Sequence, residues 1–257
     1  MLLGWGDVLK PNQGVPTSIG FYSSGCISGA DTLPLEGKGF QVMRPSRNRF
    51  YGQPALMNFV ETLGSTMAAF NSGVLVGDLS QPRGGPMLTG HASHQIGLDV
   101  DIWFWTHPEQ NTRSLTLEER ENLPLITMLG PNGLVDPTKF TQEQITKLKV
   151  AASLPGVERI FVNPAIKTYL CATIAEKDSE SKSAWLRTLR PWVGHDEHFH
   201  VRLSCPKDSK LCVHQDPQPE GNGCDEVYPK TELLPPDTPL IFPAQCDAVL
   251  KDPSTKN

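Results

Sequence analysis

Five of the seven histidines in this chain stand in two short stretches, His91-Ala-Ser-His94-Gln-Ile-Gly-Leu-Asp-Val-Asp101 and His195-Asp-Glu-His198-Phe-His200. Together they offer two or three imidazoles and a carboxylate to one divalent ion. Neutral imidazole nitrogen and carboxylate oxygen are donors that Zn²⁺ accepts, and a catalytic zinc takes three protein ligands and a water. On one helix His94 and Asp101 would lie roughly two turns, about 10 Å, apart and could not share an ion. A loop at His94 that turns at Gly97 into a strand carrying Asp101 removes that difficulty.

In the second stretch, strand alternation puts His198, His200 and Arg202 on one face and Phe199, Val201 and Leu203 in the core. If this strand pairs with the Asp101 strand, facing side chains lie about 5 Å apart at Cβ and can chelate one ion. His94 then completes the set from its loop. A bound Zn²⁺ would bring the pKa of its water from near 15.7 to about 7, leaving His198 or His195 to move protons. Glu197 is a weaker candidate base, because strand parity turns it away from His198 and His200. Arg202 on the site face, or Arg83 in the loop Gln81-Pro-Arg-Gly-Gly-Pro86, is the candidate to hold a substrate carboxylate by a two-pronged contact. A purely structural zinc is disfavoured, since such sites prefer four protein ligands with cysteine among them. His107 and His214 read as histidines without a role. No Gly-x-Ser-x-Gly elbow accompanies Ser93 and His94, and no glycine-rich phosphate loop is present.

Several elements must position these groups. From Gln53 to Phe70 the apolar residues Leu56, Phe59, Val60, Leu63, Met67 and Phe70 follow helical spacing. Val74–Leu79 reads as a strand, and the Gln81–Pro86 loop delivers the chain to the first histidine stretch. Leu98–Trp105 alternates, with Leu98, Val100, Ile102 and Phe104 on one face and Asp99, Asp101, Trp103 and Trp105 on the other. Leu115–Leu129 reads as helix interrupted at Pro124, and Thr141-Gln-Glu-Gln144 as a capping box opening a helix that buries Ile145 and Leu148. Arg159–Val162 reads as a strand, and Asn163-Pro164 as the cap and first residue of a helix. A polar loop from Asp178 to Ser183 should precede a short helix with Trp185, Leu186 and Leu189, ended by Pro191. The first fifty residues read as irregular chain with short strands.

The bulk numbers bound the reading. A 257-residue chain with 38% apolar residues looks like an ordinary globular protein, and its net charge of −5 argues against a nucleic-acid binder. No run approaches the roughly 18 apolar residues of a membrane span. Cysteines stand at 26, 171, 205, 212, 224 and 246, four of the six in the last 53 residues, with no Cys-x-x-Cys pair. That pattern suits disulfides in an oxidising compartment, six reduced thiols being the alternative. Met1-Leu-Leu is too short for the apolar core of an export signal, so an exported protein would be present in processed form. From Pro206 onward the chain holds nine of its 23 prolines and three of its cysteines. We therefore expect one domain over 1–257, with 206–257 an irregular arm tied down by disulfides.

The His94-x6-Asp101 and His198-x-His200 pair resembles the two motifs of the lysostaphin, D-Ala-D-Ala metallopeptidase and sonic hedgehog zinc fold. More closely, Gly90-His-Ala-Ser-His-Gln-x-Gly-Leu-Asp-Val-Asp-Ile102 resembles the penicillin-insensitive murein endopeptidases of the MepA type. So do Gly25-Cys-Ile-x-Gly-Ala-Asp-Thr-Leu-Pro34, Arg159-Ile-Phe-Val-Asn-Pro-Ala-Ile-Lys167 and Arg190-Pro-Trp192. The resemblance spans about residues 18 to 212. Two departures stand out: the wider family usually has Ser where this chain has Ala92, and a glutamate-rich second motif where this chain has His195-Asp-Glu-His198.

The elements read along the chain make this an α+β domain, and with the resemblance the expectation is a small antiparallel sheet carrying a zinc site, flanked by helices. The resemblance implies a periplasmic zinc endopeptidase that cuts the D-alanyl–meso-diaminopimelate cross-link of peptidoglycan. His94, Asp101 and His200 would be zinc ligands, His91 part of a second, weaker metal position, and His198 the base, with His195 close by. It also implies disulfides Cys26–Cys246, Cys171–Cys224 and Cys205–Cys212. The expected partners are murein peptide cross-links, with a homodimer left open. A zinc DD-carboxypeptidase and a non-catalytic wall-binding protein holding structural zinc are the competing readings.

Overall fold

Alternating polarity marks the two strands that matter most, although both of their faces are largely buried. Val100 and Ile102 in Asp99–Trp103, with Leu98 and Phe104 at its ends, are fully buried on one face, as are Phe199 and Val201 in His198–Leu203. The computed structural model describes residues 4–175, 180–218, 220–225 and 241–256. In chain order its strands are β1 (Thr17–Phe21), β2 (Ser24–Ser28), β3 (Asp31–Thr32), β4 (Glu36–Gly37), β5 (Phe40–Val42), β6 (Tyr51–Gly52), β7 (Val74–Val76), β8 (Asp99–Trp103), β9 (Val157–Val162), β10 (Leu189–Pro191) and β11 (His198–Leu203). The helices are α1 (Pro54–Ala69), α2 (Leu117–Asn122), α3 (Gln142–Ser153), α4 (Pro164–Leu170), α5 (Glu180–Ser183) and α6 (Gln245–Lys251).

The fold is α+β. Its main sheet has seven strands in the order β10-β9-β11-β8-β7-β5-β4. It is larger than the small antiparallel sheet expected, and the β9–β10 and β5–β7 pairs are parallel. The pairs around the histidines, β8–β11 and β9–β11, are antiparallel. Helix α1 packs Leu56, Phe59, Val60, Leu63 and Met67 into the core, following its spacing. The Thr141 box opens α3 as expected, and the Asn163 side chain accepts from the Ala165 N–H at 2.9 Å to cap α4.

Four expectations on elements are corrected. Helix α2 stops at Asn122, because the residue before Pro124 is driven to extended geometry, and Leu123 has ψ 128°. The strand expected over Val74–Leu79 ends at Val76. Residues 180–183 are helical (176–179 lie outside the described residues), and the next helix is a 3₁₀ turn over Ala184–Thr188. Pro191 then lies within β10, which the sheet tolerates at its edge because an outward position needs no N–H. The arm at 206–257 contains helix α6, while residues 219, 226–240 and 257 of it lie outside the described residues.

The three disulfides pair Cys26 with Cys246, Cys171 with Cys224 and Cys205 with Cys212, as the resemblance implied. The first fixes α6 against β2, where Cys246 and Val249 pack on Ile19. Among the described residues no helix is long and apolar enough to cross a membrane.

Candidate metal centre

Register brings the two histidine stretches together. Strands β8 and β11 pair so that His200 faces Asp101, His198 faces Trp103 and Arg202 faces Asp99. Because Val100, Ile102, Phe199 and Val201 fill the core, these side chains all emerge on the opposite face. Gly97 turns the chain from the His94 loop into β8 with φ 73°, and a Cβ there would sit 2.5 Å from Ile27 Cδ1. Only glycine fits that passage. His94 itself has φ 66°, held by its N–H donating to Asp99 Oδ2 at 2.9 Å.

Three donor atoms meet as a result. His94 Nε2 lies 3.1 Å from His200 Nδ1 and 3.4 Å from Asp101 Oδ1, and His200 Nδ1 lies 3.3 Å from Asp101 Oδ1. Donors around a tetrahedral zinc ion are about 3.3 Å apart, as bonds of about 2.0–2.1 Å require. Asp101 Oδ1 is buried and has no well-directed hydrogen bond, although two ring nitrogens crowd it. In the tautomers that turn their lone pairs inward, two imidazole nitrogens and a carboxylate oxygen converge on one point, so these residues fit a zinc ion.

The surroundings hold the donors in place. His200 Nε2 faces Asp99 Oδ1 at 3.0 Å, a close ionic approach and not a well-directed hydrogen bond. Burial would raise the pKa of Asp99, but Arg202 and His200 beside it keep the carboxyl well below the usual range. Asp101 behaves alike: burial is outweighed by His198, His94 and His200. Burial would lower the pKa of His200, yet the same two carboxylates raise it. A field that draws a proton to His200 draws a metal ion there too.

His91 stands at the rim. Its Nε2 lies 3.0 Å from Asp78 Oδ2 and 3.5 Å from Asp101 Oδ2, and His91, His94 and Asp101 form a group able to hold a metal, with ligand atoms within 4.8 Å of one another. Asp78 also pairs with Arg47 at 2.9 Å and Arg49 at 2.8 Å. Against the effect of its burial, His91 and the arginines bring its pKa to about 2. Sequence reasoning passed over Asp78 and Asp99, although each had a signal: Asp78 is a lone carboxylate in the apolar run Val74–Leu79, and Asp99 shares a face with Asp101.

His198 Nε2 approaches Asp101 Oδ1 to 3.8 Å, and the ring borders a cleft of about 380 Å³. The His195 ring is 5.0 Å from that of His198 and 5.9 Å from that of His200. Burial lowers both pKa values, that of His195 to about 3, aided by its histidine neighbours. Met43, Arg44, Arg47, Trp103 and Leu125 form the rest of the cleft with Gly77, Asp78, His91 and Asp101.

The two arginines expected to hold substrate lie elsewhere, which corrects that expectation. Arg83 is buried and donates to the carbonyls of Lys10, Val249, Leu250, Asp252 and Ser254, so it caps the end of α6. Arg202 is on the expected face but buried, with Nε 2.7 Å from Asp99 Oδ1 and Nη1 3.1 Å from Gln215 Oε1. Its guanidinium lies over Tyr22 and Phe161 at 4.2 and 5.0 Å. The cations that do reach the cleft are Arg44 and Arg47, and their run, Arg44-Pro-Ser-Arg47, carried no periodic signal.

Comparison with known proteins agrees with the motifs. The family model described as penicillin-insensitive murein endopeptidase matches residues 18–251. A Haemophilus influenzae protein of that name is 40% identical over 99% of this chain and 90% of its own length. Pectobacterium atrosepticum has one that is 42% identical over 96% of this chain and 88% of its own. An Escherichia coli protein, likewise so named, is 41% identical over 96% of this chain and 91% of its own.

Proposed function

The chain belongs to the penicillin-insensitive murein endopeptidase family, and from that premise we propose that it is a zinc-dependent endopeptidase of cross-linked murein. The bond cut is the D-alanyl–meso-diaminopimelate amide, and the compartment is the periplasm. The carrying observation is the triangle of His94 Nε2, Asp101 Oδ1 and His200 Nδ1, whose edges of 3.1–3.4 Å suit one tetrahedral zinc. Three disulfides support an oxidising location outside the cytoplasm. The family match across 18–251 supports treating 1–257 as one peptidase domain with 206–257 as its arm.

In this reading His94, Asp101 and His200 hold the zinc, and His91 adds a donor at the rim. Bound there, zinc supplies Lewis acidity, polarising the scissile carbonyl and making water acidic enough to attack near neutral pH. Asp99 holds the His200 ring from behind and is itself held by Arg202 and the His94 N–H. His198, open to the cleft, accepts the proton of the attacking water and returns one to the leaving amine. It can do so because burial keeps its imidazole neutral. His195, its ring centre 5.0 Å from that of His198, is the second candidate for moving that proton.

Purified cross-linked muropeptide dimers test the reading. The wild type should release monomers, lose activity with a chelator and recover it with zinc, while His200→Ala should release none above background. Equal release by both proteins would overturn the metal assignment.

A further inference from the structure

We propose that Arg44 is the residue that recognises a carboxylate of the substrate, namely the one beside the amide nitrogen being released. Its backbone is left-handed, with φ 54° and ψ 50°, a conformation that a residue with a Cβ adopts only when its surroundings impose it. The imposition is visible: the Arg44 N–H donates to Arg120 O at 3.0 Å, and the Arg44 carbonyl accepts from the Arg47 N–H at 3.0 Å. This turn aims the side chain across the cleft, with Cζ 5.7 Å from the centre of the Trp103 ring. Strained non-glycine backbone of this kind concentrates at ligand clamps.

Trp103 ties that cation to the reaction centre. It lies two residues beyond Asp101 on the same face of β8 and pairs in register with His198. Same-face neighbours on a strand are about 7 Å apart, so Arg44 stands above the cleft floor one side chain away from the metal donors. A carboxylate attached to the carbon bearing the released nitrogen sits at comparable reach from the scissile bond.

Charge singles out Arg44 from its neighbours. Arg47 and Arg49 are paired with Asp78 at 2.9 and 2.8 Å. Arg83 and Arg202 are buried on other partners. Among the described residues the Arg44 guanidinium has no ion pair and no side-chain hydrogen bond, only the Trp103 face. Met43 and Leu125 form apolar walls beside it. A planar guanidinium on an aromatic face, half out of water and without a counter-ion, is suited to a two-pronged carboxylate contact. The identity of the peptide rests on the endopeptidase reading; the anion site itself does not.

The amine-side product, a stem peptide with free diaminopimelate carboxylates, is not a dimer and is not cut, so its binding can be measured on the zinc-loaded full chain. Calorimetry should show it binding wild type roughly 10- to 100-fold more tightly than the same peptide with its carboxylates amidated, the range for a charge-assisted contact. Arg44→Gln should erase that preference while binding the amidated peptide within about threefold of wild type, and Arg44→Lys should keep part of it. Arg44→Gly, which suits the left-handed backbone, should also lose the preference while melting no lower than wild type. Retention of the preference by Arg44→Gln, or equal loss for both peptides, would overturn the proposal. If wild type shows the preference, Arg44→Gln lacks it, and neither releases monomers from dimers, the carboxylate site stands and the endopeptidase reading falls.

Discussion

Asp99 and Arg202 face each other across the β8–β11 pair, with Arg202 Nε 2.7 Å from Asp99 Oδ1 and both side chains buried behind the candidate metal donors. That one carboxylate also receives the His94 N–H and faces His200 Nε2. Two of the three donors therefore take their orientation from a residue that is not a donor. This arrangement gives the site its rigidity: the His200 ring cannot turn without losing its contact to Asp99, and the His94 backbone is pinned by its N–H on the same carboxylate.

Asp99→Asn tests it. The amide keeps the shape but loses the charge facing His200, and zinc affinity should fall about 10- to 100-fold, as for other groups that orient metal-bound histidines. Stability should fall too, by about 3 kcal/mol, because Arg202 is left buried without its counter-ion. Competition with a zinc-sensitive dye and urea unfolding read the two effects. An unchanged zinc affinity would refute the orienting role.

Arg83 should behave as a fastener. Its guanidinium satisfies carbonyls at the end of α6, more than 160 residues away in the chain. Arg83→Met should lower stability by about 2 kcal/mol, as expected when partly buried carbonyls lose a charged donor. KM for muropeptide dimers should stay within twofold. A rise in KM with no loss of stability would restore Arg83 to substrate binding.

How much of this was legible in the sequence depended on whether the determinant was local. Alternation in Leu98–Phe104 and Phe199–Leu203 gave the two strands, their buried faces and the convergence of Asp101 with His200. Parity also put Arg202 on the correct face, but parity says nothing of depth, and Asp99 on the facing strand keeps that arginine in the interior. Arg83 could not be read, because its acceptors belong to a helix that reaches it only through long-range packing. Arg44 was invisible for a different reason: its direction comes from a left-handed backbone imposed by Arg120, which no propensity encodes. Pro124 was read as interrupting a helix and Pro191 as ending one, yet the first helix stops at Asn122 and Pro191 takes an edge-strand position.

The disulfides should contribute unequally. Cys26–Cys246 closes a loop of 220 residues and Cys205–Cys212 one of 7. Chain-entropy arguments give about 5 kcal/mol for the long loop and about 2 for the short one. Replacing each pair by alanines should therefore lower the urea midpoint more for the first than for the second. A reversed order would show that the packing of Cys246 and Val249 on Ile19 holds α6 without its cross-link.

Lys147 gives the pH prediction, because it lies on α3 away from the metal donors. It is fully buried, with Nζ 3.1 Å from the Phe104 carbonyl and 2.8 Å from Thr106 Oγ1, and among the described residues no carboxylate forms an ion pair with it. Burial lowers its pKa from 10.5 to about 8, with Glu143 opposing weakly. The depressed pKa belongs to a base, so the folded state binds fewer protons than the unfolded state between about pH 8 and 10.5. Stability must rise with pH across that window. Below about pH 8 both states carry the proton and the full cost of the buried charge is present. Lys147→Met removes this titration while keeping a flexible chain of similar size. The stability of wild type relative to Lys147→Met should therefore improve by about 2–3 kcal/mol between pH 7.5 and 10.5. Urea unfolding of both proteins at several pH values measures the difference and cancels groups they share. A difference flat with pH would mean that the ammonium is as well solvated by its two acceptors as by water.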